Sequence, residues 1–410
     1  MIKISTPNKL INTEIHISGS KSLSNRLLMV RAISGLDLHF KNLSDSDDTI
    51  TMAKELGLVK GKTSSIIDVG HAGTDMRFLS AYLSGKIGDW TLTGSERMQQ
   101  RPIGELVNTL RKLGANITYL NKEGFPPLKI VGSKLNGGAI EIDGSVSSQF
   151  ITALLLIAPT LESGLTLQIK NESVSKPYIK MTIEVMNQFG VAVEQIGNVI
   201  KVPSAHYKKD GLDYYVESDW SSASYWYSFV ALADEAKVTL RNFNKSSFQS
   251  DSIVQSLYEK LGVKTQWDAT GITLTKQASS ISELHYDFLD CPDIAQTVAA
   301  TCVGLGLKAH LTGLQTLRIK ETDRIAAMKA ELERFGAAVE MTDSSIKINP
   351  NASPLTPTDE IKTYHDHRMA MSIAPLVMKC NSLTFDDEDV VNKSYAAFWD
   401  DLQEAGIDVE

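Results

Sequence analysis

One local pattern returns six times along this 410-residue chain, and no other feature narrows the fold as much. An amphipathic stretch ends at a glycine, and an apolar alternating run follows. It occurs as Lys54-Glu55-Leu56-Gly57, Arg111-Lys112-Leu113-Gly114, Asn187-Gln188-Phe189-Gly190, Glu259-Lys260-Leu261-Gly262, Glu333-Arg334-Phe335-Gly336 and Gln403-Glu404-Ala405-Gly406. By residue number, successive glycines lie 57, 76, 72, 74 and 70 residues apart. Each instance reads as a helix closed by a left-handed glycine cap, then a strand. Asn116–Leu120, Val191–Glu194, Val263–Trp267 and Ala338–Met341 supply the strand-like continuations. Helix, glycine and strand are common in any α/β protein, so one copy means little. Six copies at a near-constant period predict six α/β units of about 70 residues. Six units divide into two lobes of three, with the boundary expected around Glu217-Ser218-Asp219. No Pro/Gly/Ser-rich tract marks it, which predicts a short hinge, and a cleft between two lobes is a usual ligand site.

Composition bounds the rest. The chain is 42% hydrophobic and 22% charged, ordinary for a globular protein whose core needs no disulfide or metal staple. Cys291, Cys302 and Cys380 form no CxxC pair, which suits a reducing, cytoplasmic compartment. Met1–Ser5 does not open a secretory signal, and the longest apolar run, Ile151–Pro159, is too short to span a bilayer. The formal net charge of −8 argues against general nucleic-acid binding. It leaves room for an anionic small molecule, because local basic clusters override the global sign.

Such clusters stand at predicted helix starts. Gly19-Ser20-Lys21-Ser22-Leu23-Ser24-Asn25-Arg26 opens an apolar helix with small polar residues and two cations. It reads either as a capped helix or as an anion site on backbone N–H groups. Gly70-His71-Ala72-Gly73-Thr74-Asp75-Met76-Arg77 is a capped turn, or a place where a ligand approaches the backbone closely. Glu96 to Gly104 sets Arg101 before Pro102, a helix-starting proline. Gly144-Ser145-Val146-Ser147-Ser148-Gln149-Phe150 offers hydroxyls that cap a buried helix or bind a phosphate. Val174-Ser175-Lys176-Pro177-Tyr178 is a further helix start. Asp293, in Cys291-Pro292-Asp293, is a cap or a carboxylate facing a site. In Leu317 to Arg324, Lys320 and Arg324 share a helix face and Glu321 pairs with Arg324. Two cations near a helix start oppose its dipole unless an anion sits there. His365-Asp366-His367-Arg368 lacks further ligands at helical spacing, so an anion clamp is favoured over a metal. Lys393, taken alone, is a surface residue.

Each motif is weak, but their order along the chain resembles the 5-enolpyruvylshikimate-3-phosphate synthase family, from Lys21 to Lys393. The resemblance implies an α/β fold of two lobes, each of three βαβαββ repeats, the inverse α/β barrel of enolpyruvyl transferases, closing around the substrates. It implies a lobe of residues 19–218 on the shikimate 3-phosphate side, and a C-terminal lobe of residues 1–18 and 219–410 on the phosphoenolpyruvate side. The implied reaction moves the enolpyruvyl group of phosphoenolpyruvate to the 5-hydroxyl of shikimate 3-phosphate, in a cytoplasmic monomer without metal or organic cofactor.

The resemblance also assigns residues. Lys21, Ser22, Arg26, Ser147, Ser148, Gln149, Ser175, Tyr178, Asp293 and Lys320 are expected on shikimate 3-phosphate. Lys21, Gly73, Arg101, Gln149, Arg324, His367, Arg368 and Lys393 are expected on phosphoenolpyruvate, with Arg77 close by. Asp293 is the expected proton acceptor, Glu321 the donor to the methylene, and Lys21 a third catalytic residue. His71, Phe78 and Thr316 depart from the family's commonest residues. The sister family that uses a UDP-amino sugar, UDP-N-acetylglucosamine, usually has a reactive Cys five residues before its Arg-Pro. Glu96 stands there in this chain. A non-catalytic binder of phosphorylated ligands is the remaining alternative, and it has no use for Asp293 and Glu321.

Overall fold

A computed structural model of the chain describes residues 1–145, 147–171, 176–208, 211–350, 357 and 360–410. They form two compact units, one of Gly19–Val216 and one of Met1–Ser18 with Glu217–Glu410. The division lies two residues ahead of the expected one. Glu217 is the reason: its buried carboxylate accepts from Trp220 Nε1 and Asn244 N at 3.0 Å, and from Ser247 Oγ at 2.7 Å.

Within Gly19–Val216, two four-stranded sheets share one plan. Ser64–Asp68 pairs parallel with Gly88–Thr93, which pairs antiparallel with Leu128–Gly132, which pairs antiparallel with Asn116–Tyr119. Gly138–Asp143, Leu165–Lys170, Val199–Val202 and Glu194–Ile196 repeat that order. A third, smaller sheet pairs Leu38–Lys41 with Leu212–Tyr215 in parallel. The other unit follows suit. Leu10–Ile15, Glu235–Arg241, Gly271–Lys276 and Val263–Trp267 form one four-stranded sheet. Glu283–Asp287, Lys308–Thr312, Ile346–Asn349 and Ala338–Met341 form the next. In the third, Ile2–Ser5 lies antiparallel between Ser382–Phe385 and Asp408–Val409. There are thus three sheets per unit among the described residues, with two of each three complete.

A parallel pair needs a crossover, and here it is a helix. Gly73–Gly85, Ser148–Ile157 and Ala295–Leu305 each link the parallel strands of one sheet, and Trp220–Leu232 leads into Glu235–Arg241. These helices are buried nearly all round, as a helix enclosed by sheets must be. Every residue of Trp220–Leu232 except Ser221 is buried. Each unit has its own apolar core around such helices. Among the described residues no helix is long and apolar enough to cross a membrane.

Five of the six glycines take the left-handed conformation read from the sequence: Gly114, Gly190, Gly262, Gly336 and Gly406, with φ from 79° to 101°. Gly57 does not. It lies inside the helix Asp47–Val59, and Gly61, at φ 76°, makes the turn. After Gly190 the strand begins at Glu194, where Val191 was expected to start it. The other continuations hold to within a residue.

Candidate active site

Most of the charged motifs stand at or just before helix N-termini, where unsatisfied N–H groups favour anions. In Gly19–Val216 the helix Lys21–Ser34 starts beside the start of Asp47–Val59, with Lys21 Nζ 3.6 Å from Asp48 Oδ2. One turn on, Arg26 is buried. It donates to Thr182 Oγ1 at 2.8 Å, to the Ser22 carbonyl at 2.6 Å and to the Tyr178 carbonyl at 3.1 Å. These acceptors are neutral. Burial lowers Arg26 to about 10, so a desolvated cation here gains from an anionic ligand. Phe78 has its ring 5.7 Å below the Arg26 guanidinium, a cation–π contact that gives this family departure a role.

Three further motifs join them. Gln149 Nε2 donates to Thr74 Oγ1 at 3.2 Å, bringing the starts of Ser148–Ile157 and Gly73–Gly85 together. Ser147 caps the former, accepting from Gln149 N at 3.3 Å, so its capping reading is realised. The Arg101 guanidinium covers the Cα of Gly73: a Cβ there would stand 2.5 Å from Arg101 Nη1. Arg77 is buried and donates to the carbonyls of Pro102 at 3.0 Å and Gly73 at 3.2 Å. Burial, with Arg101 beside it, holds Arg77 well below its ordinary value. Pro102 does not start a helix, since Ile103 is the N-cap of Gly104–Lys112. Tyr178 lies in the first turn of Lys176–Gln188. Ser175 and Val146 lie outside the described residues.

The other unit gathers the carboxylates. Arg324 is the first residue of the helix Arg324–Arg334, and its guanidinium serves three acids at once. Nε meets Asp366 Oδ2 at 2.7 Å, Nη2 meets Glu321 Oε2 at 2.9 Å, and Nη1 meets Asp293 Oδ1 at 3.4 Å. Burial opposes the Arg324 charge, but Asp366, Glu321 and Asp293 outweigh it and raise the pKa. Arg368, at the start of His367–Ile373, donates to Asp293 Oδ2 at 2.9 Å and to the Asp293 carbonyl at 3.1 Å. Lys393 Nζ lies 3.4 Å from Glu321 Oε1, so it is not the surface residue its local sequence suggests. His367 is buried with Nδ1 3.5 Å from Asp366, whereas His365 is exposed near Asp387. Asp293 caps no helix: it sits in the 3-10 turn Pro292–Ile294 ahead of Ala295–Leu305. Lys320 and Glu321 precede the Arg324 helix, so the expected shared face of Lys320 and Arg324 does not exist, although Glu321 and Arg324 do pair.

Two residues were missed. Ser221 Oγ donates to Asp251 Oδ2 and accepts from Arg368 Nη2 at 3.4 Å, and Asp251 is buried. Burial, with the charge of Asp293 near, pushes the Asp251 carboxyl up to about 7. A signal exists for Ser221: Asp219-Trp220-Ser221-Ser222 is another small polar opening of an apolar helix, capped by Asp219.

A family model described as EPSP synthase (3-phosphoshikimate 1-carboxyvinyltransferase) matches residues 5–402. The chain belongs to the EPSP synthase family. A 3-phosphoshikimate 1-carboxyvinyltransferase of Bacteroides fragilis (strain YCH46) is 44% identical over 415 residues, covering 99% of this chain and 98% of that protein. One of Mannheimia haemolytica is 36% identical over 430 residues, covering 98% of each. A solved structure of EPSP synthase from Acinetobacter baumannii superposes with a TM-score of 0.79 at 22% identity, covering 100% of this chain and 99% of that one. That likeness shows the fold. Family membership sets aside the sister UDP-sugar transferase, in keeping with Glu96 where a reactive Cys would stand.

Proposed function

We propose that this chain transfers the enolpyruvyl group of phosphoenolpyruvate to the 5-hydroxyl of shikimate 3-phosphate and releases phosphate. One observation carries the residue assignment: a single buried guanidinium, Arg324, holds Asp293 and Glu321 together. In the addition step the shikimate oxygen bonds to C2 of the enolpyruvyl group. Asp293 takes the hydroxyl proton and Glu321 gives a proton to the methylene carbon. In the elimination step the methyl carbon returns a proton to Glu321, the C2–phosphate bond breaks, and phosphate leaves with the proton from Asp293. Anionic phosphoenolpyruvate competes with these carboxylates for Arg324, Arg368 and Lys393. Its binding therefore releases both acids to handle protons, while the cations stabilise the departing phosphate.

Lys21, Ser22, Arg26, Ser147, Ser148, Gln149, Ser175, Tyr178 and Lys320 hold shikimate 3-phosphate in this reading. Gly73, Arg101, Gln149 and His367 complete the phosphoenolpyruvate contacts, with Arg77 supporting them. The buried Arg26, whose hydrogen bonds among the described residues run to neutral partners, supports a doubly charged phosphate ligand. Three buried cysteine thiols suit a reducing cytoplasm, and the enzyme is taken to act as a monomer, which sedimentation at working concentration tests.

Phosphate release from phosphoenolpyruvate is the deciding assay. It is expected with shikimate 3-phosphate and absent with UDP-N-acetylglucosamine. Asp293→Asn and Glu321→Gln are expected to lose roughly 10²- to 10⁴-fold in rate. Full turnover by either variant would remove the proton-transfer role assigned to that acid.

A further inference from the structure

Between Arg324 and Arg368 the chain makes a turn that residues with side chains seldom adopt. Tyr364 and His365 are consecutive left-handed residues, at φ 56° and 53°, and neither is glycine. Crowding of the β-carbon disfavours that conformation, so surrounding contacts must hold it. Two of the contacts that do so lead to the helix Arg324–Arg334. Downstream, Asp366 grips Arg324. Upstream, the Tyr364 hydroxyl donates to Glu331 Oε1 at 2.8 Å. Glu331 lies seven residues after Arg324, about two turns along the same helix face. It is 1% exposed, and its Oε2 accepts from Lys362 N at 3.4 Å and lies 3.6 Å from Arg334 Nε. On the other side Thr363 is tied down, its N and Oγ1 both donating to Asp386 Oδ1. The turn is thus stretched between two grips on one helix.

Its position governs both arginines. Asp366 Oδ1 accepts from Arg324 Nη2 at 3.1 Å and from Arg368 N at 3.0 Å. A shift of Asp366 would loosen Arg324 and re-aim Arg368 together. Neither Tyr364 nor Glu331 has a part in the proton transfers above.

We propose that Tyr364, acting through Glu331, is a positioning residue that holds the left-handed turn in register, and so sets the alignment of the two arginines that take phosphoenolpyruvate. The substrate named here rests on the proposed reaction; the turn itself does not. Burial keeps Glu331 above the ordinary carboxylate value and pushes the Tyr364 phenol up to about 12, so the hydroxyl stays a donor.

Tyr364→Phe removes one oxygen and keeps the ring. The expected result is a rise of roughly tenfold in KM for phosphoenolpyruvate, the size of one hydrogen bond to a charged group. The KM for shikimate 3-phosphate and kcat are expected to stay within about twofold, and amide exchange over residues 361–371 to quicken. Adding His365→Gly removes the left-handed cost. The double variant is expected to recover the phosphoenolpyruvate KM to within about threefold and to restore slow exchange. A role in general stability alone would raise both KM values together or show no rescue by glycine, and either outcome overturns the proposal. So does an unchanged phosphoenolpyruvate KM in Tyr364→Phe. If Tyr364→Phe does not fold, Glu331→Met, which removes the acceptor at similar length, is read by the same criteria. Should the wild-type chain show no transferase activity, the proposed reaction fails, and the exchange comparison with its glycine rescue still decides the positioning role.

Discussion

Arg324 and Asp366 meet through two parallel hydrogen bonds, Nε to Oδ2 at 2.7 Å and Nη2 to Oδ1 at 3.1 Å, with the side chains 2% and 0% exposed. A guanidinium fork on a carboxylate fixes orientation as well as distance, which an ammonium cannot do. The same carboxylate oxygen caps the His367 helix through Arg368 N. Asp366→Ala therefore removes a charge partner and a cap at once. It is expected to cost about 3–5 kcal/mol of stability, the usual effect of breaking a buried pair on one side. Urea denaturation of wild type and variant measures it. Arg324→Lys keeps the charge and loses the fork, and is expected to lower kcat/KM for phosphoenolpyruvate by at least about tenfold.

Arg26 presents the opposite case, a buried cation whose hydrogen bonds run to neutral oxygens. Burial works against its charge in the ligand-free protein. Replacing it by an apolar side chain of similar length should thus be tolerated by the fold. Arg26→Met is expected to change stability by no more than about 1 kcal/mol, in either direction. The same change is expected to weaken shikimate 3-phosphate binding by roughly 100-fold, the value of about two charge-assisted bonds. Calorimetric titration beside thermal unfolding tests the two halves of this expectation separately.

The sequence alone carried the repeat and the charged helix starts of the candidate site, and the exceptions have a common physical origin. Gly114, Gly190, Gly262, Gly336 and Gly406 were legible because a left-handed cap selects glycine locally. Gly57 misled because glycine is also tolerated inside a helix, and the true turn came four residues later at Gly61. Arg324 and Glu321 were legible as a pair because they are three residues apart. Asp366, 42 residues away, binds Arg324 just as closely, and no local rule joins them. Lys393 read as a surface residue for the same reason: its partner Glu321 is remote in sequence. Asp251 and the Tyr364–Glu331 contact were illegible altogether, since each depends on burial and on a partner 30 or more residues distant.

Asp251 gives a pH prediction with a definite sign. Burial and the nearby charge of Asp293 raise its folded value to about 7, from an ordinary 3.8. Below about pH 4 the group is protonated in both folded and unfolded chains and has no differential effect. Between about pH 4 and 7 the folded chain holds the proton that the unfolded chain has lost, so stability falls as pH rises. The full penalty, at most about 4 kcal/mol, stands above pH 7. Asp251→Asn keeps an acceptor for Ser221 and removes the titration. The stability of the variant relative to wild type is expected to grow from pH 4 to pH 8, read by urea denaturation at each pH. A constant difference across that range would show that Asp251 is ionised throughout.

Two glycines separate folding from binding. A Cβ on Gly19 would stand 1.9 Å from the Asn42 carbonyl oxygen and 2.9 Å from Val216 Cγ1. The first neighbour is backbone and cannot step aside, so the chain must deform. Gly19→Ala is expected to destabilise by about 3 kcal/mol or more, at the upper end of overpacking costs. A Cβ on Gly73 would stand 2.5 Å from Arg101 Nη1 and 2.8 Å from Nη2. Those atoms end a flexible side chain, which can swing away at little cost to the fold. Gly73 also opens a helix, a position that alanine fills without cost to the helix. Gly73→Ala is therefore expected to leave the melting temperature unchanged or slightly raised. Arg101 moves with it, and KM for phosphoenolpyruvate is expected to rise by roughly tenfold or more, about 1.4 kcal/mol of lost binding. Melting curves and initial rates on the two variants give opposite patterns if Gly19 serves packing and Gly73 makes room for Arg101.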